Sequence, residues 1–293
     1  GPAARDSRER YWPIMRFGEF EIHTFVERKF RLDGGSMFGI VPKTIWQRSI
    51  PADESNLIPM VTNLFVLSAH GRNMIFDIGF GDTLTDREKK IYGTNGVSNL
   101  ESGLANLGLT VNDINYVILS HLHTDHAGGA VKLVDDRYIP RFPKAAYVIS
   151  EVEWDIALNP DERTAAVYVP DRLRPLREAG QVEFIESDSE LLPGIRTVFT
   201  GGHTSGHFAL EIESGGTSVF YYADIYCTSA HLKTPYVPAT DLYPMETMEI
   251  KRRTLSRVVD QDVVMAFDHD VNTPLARIRQ SGKKLVTEPI DNN

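Results

Sequence analysis

The sequence predicts a mixed α/β architecture in which stacked sheets carry helices on their outer faces. Short apolar runs bounded by turn residues recur at 64–67, 74–78, 116–120, 146–149, 182–185, 195–199, 208–212, 218–222 and 263–267, and these read as strands. Between them, 98–107 sets Leu100, Leu104 and Leu107 at helical spacing, 151–158 reads as a second helix, and 247–259 aligns Met248, Leu255, Val258 and Val259 on one stripe. Strands and helices mix without strict alternation, which favours packed sheets with helices outside them. The runs on either side of Gly215-Gly216 form a hairpin, so His203 and Asp224 fall near the ends of paired strands.

Apolar residues at 42% and charged residues at 24% are ordinary globular usage, which excludes a disordered or fibrous chain. Apolar segments continue at short intervals from Ile22 to Val286 with no repeat or long linker, so 17–293 reads as one domain behind a tail at 1–16. The opening Gly1-Pro2 resembles a protease-cleavage scar. A formal net charge of −9 disfavours nucleic acid and anionic membrane as partners, because both need a basic face. No apolar run is long enough for a membrane span. The single cysteine, Cys227, cannot form an internal disulfide, which fits a cytoplasmic protein, or an exported one whose signal has been removed.

The chemistry concentrates in Ser120-His121-Leu122-His123-Thr124-Asp125-His126, directly after the apolar run 116–119. Imidazole nitrogens and carboxylate oxygens are the donors that suit zinc and other borderline divalent metals. In extended or loop backbone, His121 and His123 at i and i+2 point the same way, and Asp125 and His126 turn toward a second position. Taken singly, a histidine is more often a surface or hydrogen-bonded core residue than a ligand; the spacing of the cluster is what carries the inference.

That segment resembles the H-x-H-x-D-H signature of the metallo-β-lactamase superfamily, and four further stretches extend the resemblance. Gly202-His203-Thr204-Ser205-Gly206-His207 matches the family's next histidine, with His203 in the ligand position and His207 as a structural neighbour. Asp224 after 219–223 and His269 after 263–268 match its bridging carboxylate and last histidine, and Asp77 in 74–79 matches an early Asp-x-Gly whose carboxylate supports a ligating histidine, although a simple turn role suits Asp77 equally well. The resemblance implies a four-layer αβ/βα sandwich and two divalent metal ions, zinc by preference, bridged by a hydroxide. One ion is expected on His121, His123 and His203, the other on Asp125, His126 and His269, with Asp224 between them.

Within the superfamily, His123 stands where the diiron oxidoreductase branch carries glutamate. Too little chain follows His269 for a glyoxalase II substrate domain, and the acidic charge argues against the tRNA-processing branch. The stretch 30–43 is similar to that of N-acyl homoserine lactonases and methyl parathion hydrolases. The implied activity is hydrolysis of acyl lactones, with phosphotriester hydrolysis and a non-catalytic metal-binding role as alternatives. The expected partner is a small-molecule substrate, and a homodimer is left open. Asp125 is expected either to carry a proton as well as bind metal or to coordinate only, and Tyr226 to hydrogen-bond a lactone carbonyl. Phe30, Met37, Phe38, Ile40 and Trp46 are expected either to form an apolar substrate wall or to pack as core. His231 is expected as a surface or capping residue, and Cys227 as a small buried one.

Overall fold

The computed structural model describes residue 12, residues 14–282 and residues 284–290. The cleavage-scar reading at Gly1-Pro2 lies outside them. The first sheet opens with β1 (Met15–Phe17), which starts inside the stretch read as a tail because Met15 and Phe17 bury their side chains between the sheets. The long β2 (Phe20–Asp33) follows, then α1 (Gly34–Phe38) and α2 (Lys43–Trp46), and then β3 (Leu57–Ala69) and β4 (Arg72–Phe76). Next come α3 (Asp86–Ile91), α4 (Leu100–Asn106), β5 (Tyr116–Ile118) and the single turn α5 (Thr124–Ala127). A side hairpin, β6 (Val131–Val134) and β7 (Arg137–Pro140), leads to β8 (Ala146–Ser150), α6 (Glu151–Leu158), α7 (Pro170–Glu178) and β9 (Val182–Ile185). The seven strands of this sheet run in the order β1-β2-β3-β4-β5-β8-β9.

The second sheet is built in chain order from β10 (Ser189–Leu192), β11 (Ile195–Phe199), β12 (Phe208–Ser214), β13 (Thr217–Tyr221), β14 (Val264–Ala266), β15 (Leu275–Ser281) and β16 (Lys284–Pro289), with α8 (Pro244–Asp260) between β13 and β14. No helix among the described residues is long and apolar enough to cross a membrane.

Side-chain alternation separates the layers. In β3, Leu64 and Val66 face the helices that carry Leu100, Leu104, Trp154 and Leu173, whereas Phe65 and Leu67 face the second sheet. In β13, Val219 and Tyr221 face the first sheet, and Phe220 turns outward to Ile250 and Val258 of α8. Both sheets are thus buried on both faces, which is why their strands read as apolar runs rather than alternating ones. The result is the expected order of helix, sheet, sheet and helix.

β4, β5 and β8 are parallel, and so are β13 and β14. The chain therefore leaves β4, β5, β13 and β14 at strand ends that meet on one edge of the sandwich. β12 is antiparallel to β13, so residues 203–207 enter at that same edge. There the Phe208 N–H donates to Ser120 O across the two sheets at 3.0 Å.

Candidate metal centre

Asp77, one residue past β4, takes a left-handed backbone with φ of 45°, a conformation that aspartate tolerates better than most residues. Its carboxylate accepts from Ser120 N at 2.8 Å, from Ser120 Oγ at 2.7 Å and from Tyr221 Oη. This fixes the turn after β5, from which His121 and His123 project before α5 carries Asp125 and His126 inward. His126 Nδ1 also donates to Asp77, at 2.9 Å.

The outer ring nitrogens are engaged, which orients the inner ones. His121 Nδ1 donates to Ser120 Oγ at 3.0 Å, His203 Nδ1 to Asp241 Oδ1 at 2.7 Å, and His269 Nδ1 to Val61 O at 2.9 Å. Asp241 is held in turn by Thr247 Oγ1 of α8 at 2.6 Å. The inner atoms gather in two groups around Asp224. Its Oδ2 lies 3.0 Å from His203 Nε2 and 3.8 Å from His121 Nε2, and His203 Nε2 faces His123 Nδ1 at 3.1 Å. Its Oδ1 lies 3.2 Å from His269 Nε2 and 3.4 Å from His126 Nε2. Asp125 Oδ2 closes the second group, 3.6 Å from His269 Nε2 and 3.7 Å from His126 Nε2.

Inward-facing imidazole nitrogens and carboxylate oxygens at these separations call for positive charge between them. His121 Nε2 and Asp224 Oδ1 are buried without a hydrogen-bond partner. Burial drives the His121 imidazole well below its usual range, reinforced by the neighbouring His126. Burial also opposes charge on His203 and His269, yet the carboxylates around them outweigh it: His203 is held up at about 10 by Asp224 and Asp241, and His269 at about 9 by Asp268 and Asp224. Asp224, despite its burial, is held well below the usual carboxylate range by His126 and His203. A donor set of this kind fits a pair of divalent cations, one against each oxygen of Asp224.

The atoms open onto a cavity of about 390 Å³. Asp125 faces it with 14% of its side chain exposed. Leu32, Met37, Met60, Ile91, Tyr92 and Val167 wall it, and Glu88 and Arg163 also line it. Of the five residues expected either as substrate wall or as core, Met37 lines this cavity. Phe30, Phe38 and Trp46 pack behind it as core, and Ile40 faces solvent at 89% exposure.

The structure does not bring Tyr226 to the site. It is fully buried in the layer under α8, where Oη donates to Lys251 O at 3.2 Å, because the 3-10 turn Ala223–Tyr226 rotates it away from Asp224. His231 is not at the surface: it is buried, stacks on Phe38 and caps the C-terminal turn of α1, donating from Nε2 to Met37 O at 2.9 Å. Cys227 is buried beside Asp224, as expected, and its thiol donates to Asp224 O. His207 lies behind His121 and pairs with Thr200 Oγ1.

Three supporting residues went unread in the sequence. Asp241 and Tyr221 carry no local motif. Glu153, buried at the start of α6, accepts from Leu122 N at 3.1 Å, Tyr168 Oη at 2.7 Å and Thr204 Oγ1 at 2.6 Å, which ties together the two histidine-bearing loops and a cavity wall.

Comparison with known proteins agrees with this arrangement. The family model described as metallo-beta-lactamase superfamily matches residues 57–269. The N-acyl homoserine lactonase AiiA of Bacillus thuringiensis subsp. kurstaki is 27% identical over 169 residues, which is 57% of this chain; the chain thus spans 60% of the length of that curated relative. A crystal structure of a probable metal-dependent hydrolase from Staphylococcus aureus is 30% identical, covers 95% of this chain and 100% of its own, and superposes with a TM-score of 0.88. AidC, a dizinc quorum-quenching lactonase in complex with a product, shares the fold at 20% identity, with a TM-score of 0.80 over 98% of this chain and 99% of its own. With the family model spanning every strand end that contributes to the site, the chain belongs to the metallo-beta-lactamase superfamily.

Proposed function

We propose that the protein is a dinuclear metal-dependent hydrolase that opens acyl-substituted lactones. The observation that carries this reading is Asp224, which offers one oxygen to each of two histidine groups at the floor of an apolar-walled cavity. In this assignment His121, His123 and His203 hold one cation, Asp125, His126 and His269 hold the other, and Asp224 spans both. Imidazole and carboxylate donors favour zinc. The bound pair supplies a water of lowered pKa and polarises the substrate carbonyl.

The chain's own groups do the rest. Asp125, partly open to the cavity, holds at its free carboxylate oxygen the proton released on attack and passes it to the leaving alkoxide. Leu32, Met37 and Ile91 take the acyl chain out of water and so fix the carbonyl over the floor. The outer hydrogen bonds of His126, His203 and His269 hold their inner nitrogens ready for the cations. The lactonase names of the relatives support a lactone over a phosphotriester.

The test is elemental analysis of the purified protein followed by turnover of short- and long-chain acyl homoserine lactones beside a paraoxon-like phosphotriester. Two ions per chain and a higher kcat/KM on a lactone are expected. Two bound ions with no ring opening on any lactone would overturn the substrate assignment, and faster phosphotriester turnover would replace it.

A further inference from the structure

Asp268 directly precedes His269 and has no counterpart in the motif that drew attention to the site. It is 3% exposed, and neither of its carboxylate oxygens meets a hydrogen-bond donor. A buried carboxylate with no donor is strongly unfavourable, so a fold retains one where something else answers its charge. His126 cannot do so by hydrogen bonding: its Nδ1 lies 3.8 Å from Asp268 Oδ2 and is already given to Asp77 at 2.9 Å. His269 Nε2, 3.6 Å from the same oxygen, is turned toward Asp224.

The spacing of these groups points to an ion. Ligand atoms from His126, Asp224, Asp268 and His269 all lie within 4.8 Å of one another. Donors about 2.1 Å from a common ion stand roughly 3.0–3.5 Å apart when adjacent and about 4.2 Å apart when opposite. The separations at this end of Asp224 are 3.2 Å and 3.4 Å to His269 and His126, 3.3 Å between those two imidazoles, and 3.6 Å from Asp268 to His269.

We propose that Asp268 is a further ligand of the second cation, so that this site takes a harder, higher-coordinate ion than the first. The inference rests on the two-cation reading above. It gives the second site two imidazoles with the carboxylates of Asp125, Asp224 and Asp268, against three imidazoles and Asp224 at the first. Carboxylate-rich sites suit manganese(II), whereas imidazole-rich ones suit zinc. Because zinc outcompetes manganese at most nitrogen and oxygen sites, the signature is a narrower zinc-over-manganese preference at the second site than at the first.

The experiment compares wild type with Asp268→Asn, a near-isosteric change that removes the charge. The full-length protein, stripped by chelation, is equilibrated with zinc or manganese(II) and its bound metal counted. Wild type is expected to bind two ions. In Asp268→Asn the first ion should be unaffected, and the second should weaken at least tenfold, more for manganese than for zinc. Should Asp268→Asn fail to fold, Asp268→Glu, which moves the carboxylate by one methylene, is expected to weaken the second ion in the same sense. Two ions held by a folded variant with wild-type constants would overturn the role of Asp268 and leave the two-cation reading standing. Uptake of fewer than two ions by wild type would overturn both.

Discussion

Glu153 shows how much of this site depends on single side chains that never face the cavity. One carboxylate takes donors from Leu122, Tyr168 and Thr204, and all of these groups are buried. Glu153→Ala strands three donors and is expected to cost about 3–5 kcal/mol in denaturant unfolding and to loosen metal binding, whereas Glu153→Gln, which keeps an acceptor, should lose less than half of that. An alanine variant as stable as wild type would show that the loops are held by other means. Tyr226 gives the opposite expectation. Its hydroxyl donates to Lys251 O inside the core, so Tyr226→Phe should cost about 1 kcal/mol and leave kcat and KM on the active substrate unchanged. A large fall in kcat would restore its sequence-based role. Asp224→Ala removes the oxygen facing each histidine group, and elemental analysis should find both ions depleted; wild-type metal content would contradict the bridge.

At the scale of elements, α8 supports the site from behind. Thr247 holds Asp241, and Lys251, fully buried, donates from Nζ to His231 O at 2.9 Å and to Tyr236 O at 2.6 Å. Burial lowers the Lys251 amine from 10.5 to about 8. The unfolded chain therefore binds the extra proton between those values, and this residue makes stability rise with pH across that window, by on the order of 3 kcal/mol. Lys251→Met should abolish that rise, measured as the difference in unfolding free energy between pH 8 and pH 10.5; an identical difference in both proteins would place the effect elsewhere. The strands that read clearly in the sequence, such as 64–67 and 263–267, are uninterrupted apolar runs. β2 was unreadable because Glu27 and Arg28 sit buried in its middle at a register shift, paired through Thr62, Gly81 and Gly96 in ways no local pattern reveals. α7 was missed for a related reason: Pro175 lies inside it and its mean composition is polar, so only Arg172, Leu173 and Leu176 mark its buried face. The histidine-bearing loops were legible because their spacing is compact. Asp241, Glu153 and Asp268 were not, since each matters only through partners that folding brings to it.

Over the whole molecule, the two sheets converge on clusters of imidazoles and carboxylates whose ligand atoms lie within 4.8 Å of one another. Ser120, His121 and His126 come from the first sheet's edge and Asp224, Asp268 and His269 from the second's, so cations bound there cross-link the sandwich. At free metal about a thousandfold above Kd, each site adds about 4 kcal/mol, which for a chain of this size corresponds to a Tm change of order 10 °C. The effect should depend on pH. In the chelated protein, His203 and His269 are raised from 6.5 to about 10 and about 9, so the protons they hold stabilise the fold below pH 6.5, and that contribution fades as pH rises to 9–10. Cations displace those protons and bind more tightly as pH rises. The gap in Tm between metal-loaded and chelated protein should therefore widen steadily from pH 6.5 to pH 9, and Lys251, common to both forms, cancels from the comparison. A gap that stays constant or narrows over that interval would mean that the histidines are not where the cations compete with protons.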